Sequence, residues 1–142
     1  MTKPEISQNQ LNEWKKDPQT GKPNPKSISE AISIKQAIEN GLYTSAMRPN
    51  LKKGEPNLDF KVIRNDGSTG WLDVKTPIAP IFNSVSHQAR AIAEKINLYN
   101  GNTEVLIDLK NLQQIGDKTQ FATDLHQKIN ADKLKKVFII ND

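Results

Sequence analysis

The stretch from residue 58 to residue 77, LDFKVIRNDGSTGWLDVKTP, constrains the fold most, because it predicts a β-hairpin. Its centre, Asn65–Gly67, is a strong turn signal, since Asn and Gly tolerate positive φ and Asp-Gly favours tight hairpins. The flanking runs, Leu58–Arg64 and Trp71–Thr76, are rich in aromatic and branched apolar residues. We therefore expect two antiparallel strands joined by a tight turn.

Alternation along these strands places charged side chains together on one face. Asp73 and Lys75 share a face, about 7 Å apart at a rise of about 3.3 Å per residue. Asp59 falls on that same face, because the apolar residues of both strands take the opposite one: Phe60, Val62, Leu72 and Val74. Two carboxylates and an ammonium on one face are unfavourable unless they have a function that uses them.

The composition is that of a polar chain of single-domain length. Of its 142 residues 35% are hydrophobic, and the mean hydropathy is −0.66. The absence of cysteine excludes disulfides, zinc–thiolate sites and thiol nucleophiles. No run approaches the roughly 18 apolar residues of a membrane span, and the N-terminus does not resemble a secretory signal, so we expect neither. The net charge of +4 favours a polyanionic partner mildly, although it fits an ordinary basic soluble protein as well.

The first 26 residues differ in composition from the remainder. Residues 6–14 predict one short helix, whereas Asp17–Pro25 has the composition of a turn and linker. We therefore expect residues 1–26 to be a leader or linker arm and residues 27–142 to be the globular domain.

Beyond the leader, helical and strand patterns alternate. Ser27 and Glu30 have the spacing of a capping box, which predicts that a helix begins at Ser27 and runs to about Asn40. Ser84 can cap a second helix. The further predicted elements are strand 43–48, the hairpin strands 58–64 and 71–76, helix 85–99, strand 103–109, helix 117–131 and strand 137–140. This order predicts an α/β fold in which a mixed central sheet is flanked by helices.

Asp59, Asp73 and Lys75 are suited to metal-assisted phosphodiester hydrolysis. Paired carboxylates commonly hold Mg²⁺ or Mn²⁺ beside a phosphate. A neighbouring lysine can orient water or stabilise the charge that develops on the phosphodiester. The alternative is a cross-strand ion pair between Asp59 and Lys75 on a solvated face. The presence of Trp71 and Ile63 on that face argues against an ordinary wet surface.

The spacing of these residues resembles that of the PD-(D/E)XK nuclease superfamily: Asp59, thirteen intervening residues, then the triplet Asp-Val-Lys ending at Lys75. The sequences of Gly54–Phe60 and Trp71–Pro77 are most similar to those of the C-terminal nuclease toxin domains of contact-dependent growth inhibition proteins. The resemblance implies a restriction-endonuclease-like αβββαβ core over about residues 27–109, with an extra helix and strand. It also implies a metal-dependent endonuclease toxin that hydrolyses tRNA, with DNA as the alternative substrate.

The same resemblance implies partners and a place of action. Toxins of this kind are delivered as part of a larger secreted protein, act in the cytoplasm of a target bacterium and are neutralised by a cognate immunity protein. The alternative outside the enzymes is a binding module that shares the fold and uses its acids in ion pairs.

Carried over to this chain, the resemblance implies that Asp59 and Asp73 are ligands of one or two Mg²⁺ or Mn²⁺ ions and that Lys75 is the catalytic lysine. The family usually adds a glutamate from the first helix. Glu30 is preferred to Glu39 because it lies nearer the start of that helix, although its place in a capping box would explain it as well.

One departure from the family pattern concerns the first metal ligand. The superfamily has adjacent Pro and Asp, whereas Pro56 is followed here by Asn57. Asn57 is therefore the alternative occupant of the ligand position that strand parity assigns to Asp59.

Four further residues are candidates for contacts with nucleic acid: Lys52, Lys53, Lys61 and Gln88. The three lysines surround the predicted site and are suited to phosphate contacts, although lysines in loops and at strand ends also serve solubility. Gln88 borders the apolar face of the second predicted helix, and some relatives in the superfamily place a glutamine there beside the metal.

Overall fold

The structure, a computed structural model, describes residues 5–50, 58–78, 84–99 and 101–142. Its helices are α1 (Gln8–Trp14), α2 (Pro25–Glu39), α3 (Val85–Asn97) and α4 (Ile115–Lys128), with a 3₁₀ helix at Ala131–Lys136. Its strands are β1 (Ser45–Met47), β2 (Phe60–Ile63), β3 (Thr69–Lys75), β4 (Thr103–Asp108) and β5 (Val137–Ile140). None of the helices in the described ranges is long and apolar enough to cross a membrane.

The fold is α/β, with one mixed sheet of five strands in the order β1-β2-β3-β4-β5. The strand β2 pairs antiparallel with both β1 and β3, whereas β4 and β5 pair in parallel. This confirms the predicted α/β class and the mixed sheet flanked by helices. The chain divides into two compact units, Met1–Val74 and Lys75–Asp142.

The short helix predicted in the leader is present as α1, and it packs within the first unit. Ser7 caps it, because the Ser7 hydroxyl accepts a hydrogen bond from the Gln10 N–H at 3.1 Å. At its other end Trp14 is only 1% exposed, and its indole N–H donates to the carbonyl of Ala46 at 3.1 Å. Residues that were expected to form a leader arm thus contribute a buried aromatic side chain to the first unit.

The helix α2 begins at Pro25, so the prediction that Ser27 is its N-cap is wrong. The Asn24 side chain caps the helix by accepting from the Ser27 N–H at 2.8 Å, and the Ser27 hydroxyl accepts from the Asn24 N–H at 2.9 Å. Proline fits the first helical position, where no backbone N–H is needed. Glu30 therefore lies a full turn into the helix, outside the capping box.

The hairpin forms with the predicted turn and the predicted alternation. Gly67 has φ +86°, in the left-handed region, and its N–H donates to the carbonyl of Arg64 at 2.9 Å. The register pairs Phe60 with Leu72 and Lys61 with Trp71. One face is fully apolar and buried: Phe60, Val62, Leu72 and Val74. The opposite face carries the acidic residues.

The second unit has its own core between α3, α4, β4 and β5. Ser84 caps α3 as predicted, with its hydroxyl accepting from the His87 N–H at 3.0 Å. The buried side chains of this core are Val85, Ala89, Ala93, Ile96, Val105, Ile107, Leu109, Leu112, Phe121, Leu125 and Ile129. The 3₁₀ helix before β5 was not predicted; in it the Lys133 ammonium donates to the carbonyl of Tyr99 at 2.6 Å.

Candidate active site

The open end of the hairpin brings Asp59 and Asp73 together. Asp59 precedes β2, and its backbone N–H donates to the carbonyl of Leu72 at 3.1 Å. Its carboxylate oxygen Oδ2 accepts from the Val74 N–H at 2.7 Å, and the carboxyl itself is hydrogen-bonded to that of Asp73. Asp73 is 6% exposed and Asp59 is half-buried. The structure thus places these two predicted site residues side by side.

The surroundings of Asp59 favour its protonated form. Burial, the hydrogen bond to Asp73 and the negative charge of Glu30 raise the pKa of Asp59 to about 8, against the opposing effect of the Val74 N–H. Two carboxylates in contact cannot both ionise easily, so the pair holds one proton between them at neutral pH.

Glu30 is the third acid of this cluster. It is 5% exposed, and its Oε1 lies 3.1 Å from Nη1 of Arg48. Its other oxygen, Oε2, is buried and has no hydrogen-bond partner among the described residues. A carboxylate oxygen without a partner is unusual in a protein interior and costs free energy. Glu39, the alternative, pairs instead with Lys35 one turn away on α2 and is half exposed.

Arg48 organises the first unit around these acids, and sequence reasoning missed it. Its guanidinium lies 4.2 Å from the centre of the Phe60 ring. Its nitrogens donate to Trp14 O at 2.6 and 2.9 Å, Ser27 O at 3.2 Å, Asp59 O at 3.1 Å and Glu30 Oε1 at 3.1 Å. The only sequence signal is its place just after β1, because its partners lie 11 to 34 residues away along the chain.

Lys75 and Lys61 lie on the strands that carry the acids. Lys75 ends β3 two residues after Asp73, so strand alternation directs both side chains to the same face. Lys61 follows Asp59 by two residues on β2, and its Nζ lies 5.6 Å from the centre of the Trp71 ring. Both lysines are half-buried.

No protein-family model, curated protein or solved structure matches the chain. The resemblance to the PD-(D/E)XK superfamily therefore stays a prediction from the residues that suggested it.

The other predicted contact residues are placed as follows. Lys52 and Lys53 lie outside the described residues, as does Asn57, the alternative to Asp59 as a ligand. Gln88, on α3, uses its amide to pair with the backbone of Ile78: its Oε1 accepts at 3.2 Å and its Nε2 donates at 3.0 Å. A contact between Gln88 and nucleic acid stays a prediction.

The chemistry of the donors fits a hard divalent cation. Carboxylate oxygens are the ligands that Mg²⁺ and Mn²⁺ prefer, and one of them, Oε2 of Glu30, has no partner among the described residues. In the described residues, no group of three or more His, Cys, Asp or Glu side chains has the arrangement of a metal site. Because its surroundings raise the pKa of Asp59, binding of a cation there would require Asp59 to lose its proton.

Proposed function

We propose that this chain is a metal-dependent endonuclease that hydrolyses phosphodiester bonds in nucleic acid. The observation that carries the proposal is the cluster of acids in which the carboxyl of Asp59 is hydrogen-bonded to that of Asp73 and Glu30 has a buried oxygen with no partner among the described residues. Buried negative charge is unfavourable unless it is paired or coordinates a metal. One arginine offsets only part of this charge, and a divalent cation would offset the remainder.

Within this proposal each residue has a distinct role. Asp59 and Asp73 would hold one or two Mg²⁺ or Mn²⁺ ions, and Glu30 would supply a further oxygen from α2. Such an ion would supply Lewis-acid chemistry, which favours attack of water on the phosphate. Lys75 orients the attacking water or donates to a phosphate oxygen, for which its place two residues from Asp73 is suited.

The proposed substrate is tRNA, with DNA as the alternative. The net charge of +4 and the half-buried lysines on the acidic face support a polyanionic substrate. The resemblance to growth-inhibition toxins supports the further proposal that the domain is delivered within a larger secreted protein. On that proposal it acts in the cytoplasm of a target bacterium and is held inactive by a cognate immunity protein.

The proposal is tested by incubating the protein with total tRNA and, separately, with plasmid DNA. Each reaction contains Mg²⁺, Mn²⁺ or EDTA. We expect cleavage of tRNA that needs the metal and is lost in EDTA. Asp73→Asn should abolish cleavage, whereas Asp132→Asn, at an exposed acid of the 3₁₀ helix, should leave it unchanged. Full cleavage by a folded Asp73→Asn variant would contradict the assignment, and cleavage of plasmid alone would favour the DNA endonuclease.

The binding-module alternative is favoured by one observation, the ion pair between Glu30 and Arg48. If ion pairing is the whole role of the acids, divalent metal should not stabilise the protein. If the acids form a metal site, a free metal concentration of about 100 times its Kd would stabilise the fold by about 2.7 kcal/mol. The melting temperature would then rise by roughly 5–10 °C. A thermal melt with and without Mn²⁺ separates the two functions.

A further inference from the structure

Beside the acids, the same face of the hairpin carries an aromatic ring paired with an ammonium. Trp71 and Lys61 are cross-strand partners in the register, and the lysine Nζ lies 5.6 Å from the ring centre, within the range of a cation–π contact. Both side chains are half-buried, in contrast to Phe60 and Leu72 on the opposite face, which are fully buried. Trp71 therefore does not belong to the buried apolar face of the hairpin.

The Lys61–Trp71 pair lies two residues along the strands from the carboxylates of Asp59 and Asp73. Trp71 precedes Asp73 by two residues on β3, and Lys61 follows Asp59 by two residues near β2. Two residues of strand span about 7 Å. A nucleic acid bound with a phosphate at the acids would therefore have its neighbouring nucleotide within reach of Trp71 and Lys61.

We propose that Trp71 is a stacking platform for an unpaired base next to the phosphate that is cleaved, and that Lys61 contacts the neighbouring phosphate. This inference rests on the proposed nuclease function and narrows its substrate to single-stranded or looped-out nucleotides. Bases stack on aromatic side chains whatever their sequence, since every base has a π-face. A base within a duplex already stacks on its neighbours on both sides and is not free to stack on Trp71.

Binding and cleavage of three probes test the inference: an unstructured RNA oligonucleotide, the DNA oligonucleotide of the same sequence, and a fully paired duplex. Trp71→Leu should weaken binding of the unpaired probes by about 10- to 100-fold and leave the duplex unchanged, whereas Trp71→Phe should retain most of the affinity. Lys61→Gln should weaken binding and its dependence on salt, and Lys26→Gln, at an exposed lysine of α2, serves as its control. Weaker binding of either the RNA or the DNA oligonucleotide by Trp71→Leu would support the role of Trp71 as a stacking platform.

Tryptophan fluorescence provides a second readout, because only two tryptophans are present and Trp14 is 1% exposed. The unpaired oligonucleotide should quench the emission of the wild type and leave that of Trp71→Phe nearly unchanged. Two results would overturn this inference and leave the nuclease function standing. One is a folded Trp71→Leu variant with the affinity and cleavage of the wild type; the other is a wild type that cleaves the duplex as well as the unpaired probes. If the wild type cleaves none of the probes and neither tRNA nor plasmid DNA, the nuclease function fails; quenching of Trp71 would then still support the base-binding site, and its absence would overturn both.

Discussion

At the scale of single residues, Arg48 determines how the three acids can coexist in the first unit. It neutralises one oxygen of Glu30 and holds the backbone carbonyls of Trp14, Ser27 and Asp59 around one guanidinium. The remaining oxygen of Glu30 has no partner in the part of the chain that the structure describes. This geometry fixes the position of Glu30 and leaves one of its oxygens available to coordinate a ligand.

Replacement of Arg48 by methionine should therefore destabilise the protein strongly. Removal of one member of a buried ion pair leaves an uncompensated charge and costs about 3–5 kcal/mol. Urea denaturation at pH 7 measures the loss, with Arg90→Met, at an exposed residue of α3, as control. Adding Glu30→Gln to Arg48→Met should recover part of the loss, and a change under about 1 kcal/mol in the single variant would contradict this role.

Replacement of Asp59 by asparagine should change how stability depends on pH. The pKa of this group is raised from 3.8 to about 8, so the metal-free folded state holds its proton more tightly than the unfolded chain does. Its contribution to stability is complete below about pH 4 and is lost as the pH rises to about 8. Asparagine cannot ionise and therefore escapes this loss of stability.

Melting temperatures of the metal-free proteins between pH 4 and pH 9 check this expectation. The Asp59→Asn variant should melt several degrees above the wild type at pH 8, and the two curves should meet near pH 4. Parallel curves across the whole range would show that Asp59 titrates normally.

At the scale of elements, local signals explain what was predicted correctly. The hairpin turn needs a residue with positive φ, which Gly67 supplies, and strand alternation places Asp59 and Asp73 on one face. The start of α2 was predicted wrongly because Asn24 and Pro25 had been attributed to linker composition. Arg48 could not be predicted at all, since its partners are distant in sequence and the tertiary fold alone brings them together.

The capping of α2 gives a prediction at this scale. Asn24→Ala removes the acceptor for the Ser27 N–H and should destabilise the protein by about 1 kcal/mol, whereas Asn24→Asp should retain most of the stability. Urea denaturation measures both changes, with Asn111→Ala, at an exposed turn residue, as control. An unaltered midpoint in Asn24→Ala would show that the cap does not stabilise the helix.

At the scale of the whole molecule, the α/β class followed from the order of helical and strand patterns alone. The division into two compact units did not, because no linker composition marks the boundary between Val74 and Lys75 in the sequence. One fold can serve many activities, so the proposed function rests on the few acids of the first unit and not on this architecture. The proposed nuclease function therefore depends on whether those acids bind a divalent ion.

Calorimetric titration of Mn²⁺ into the protein at pH 7, repeated in buffers of different ionisation enthalpy, measures this binding directly. Because Asp59 and Asp73 share a proton in the metal-free state, we expect saturable binding that releases about one proton per ion. Asp59→Asn and Asp73→Asn should each abolish binding, whereas Glu39→Gln should not affect it. Absence of binding in the wild type, or binding that is unchanged in both aspartate variants, would contradict the account.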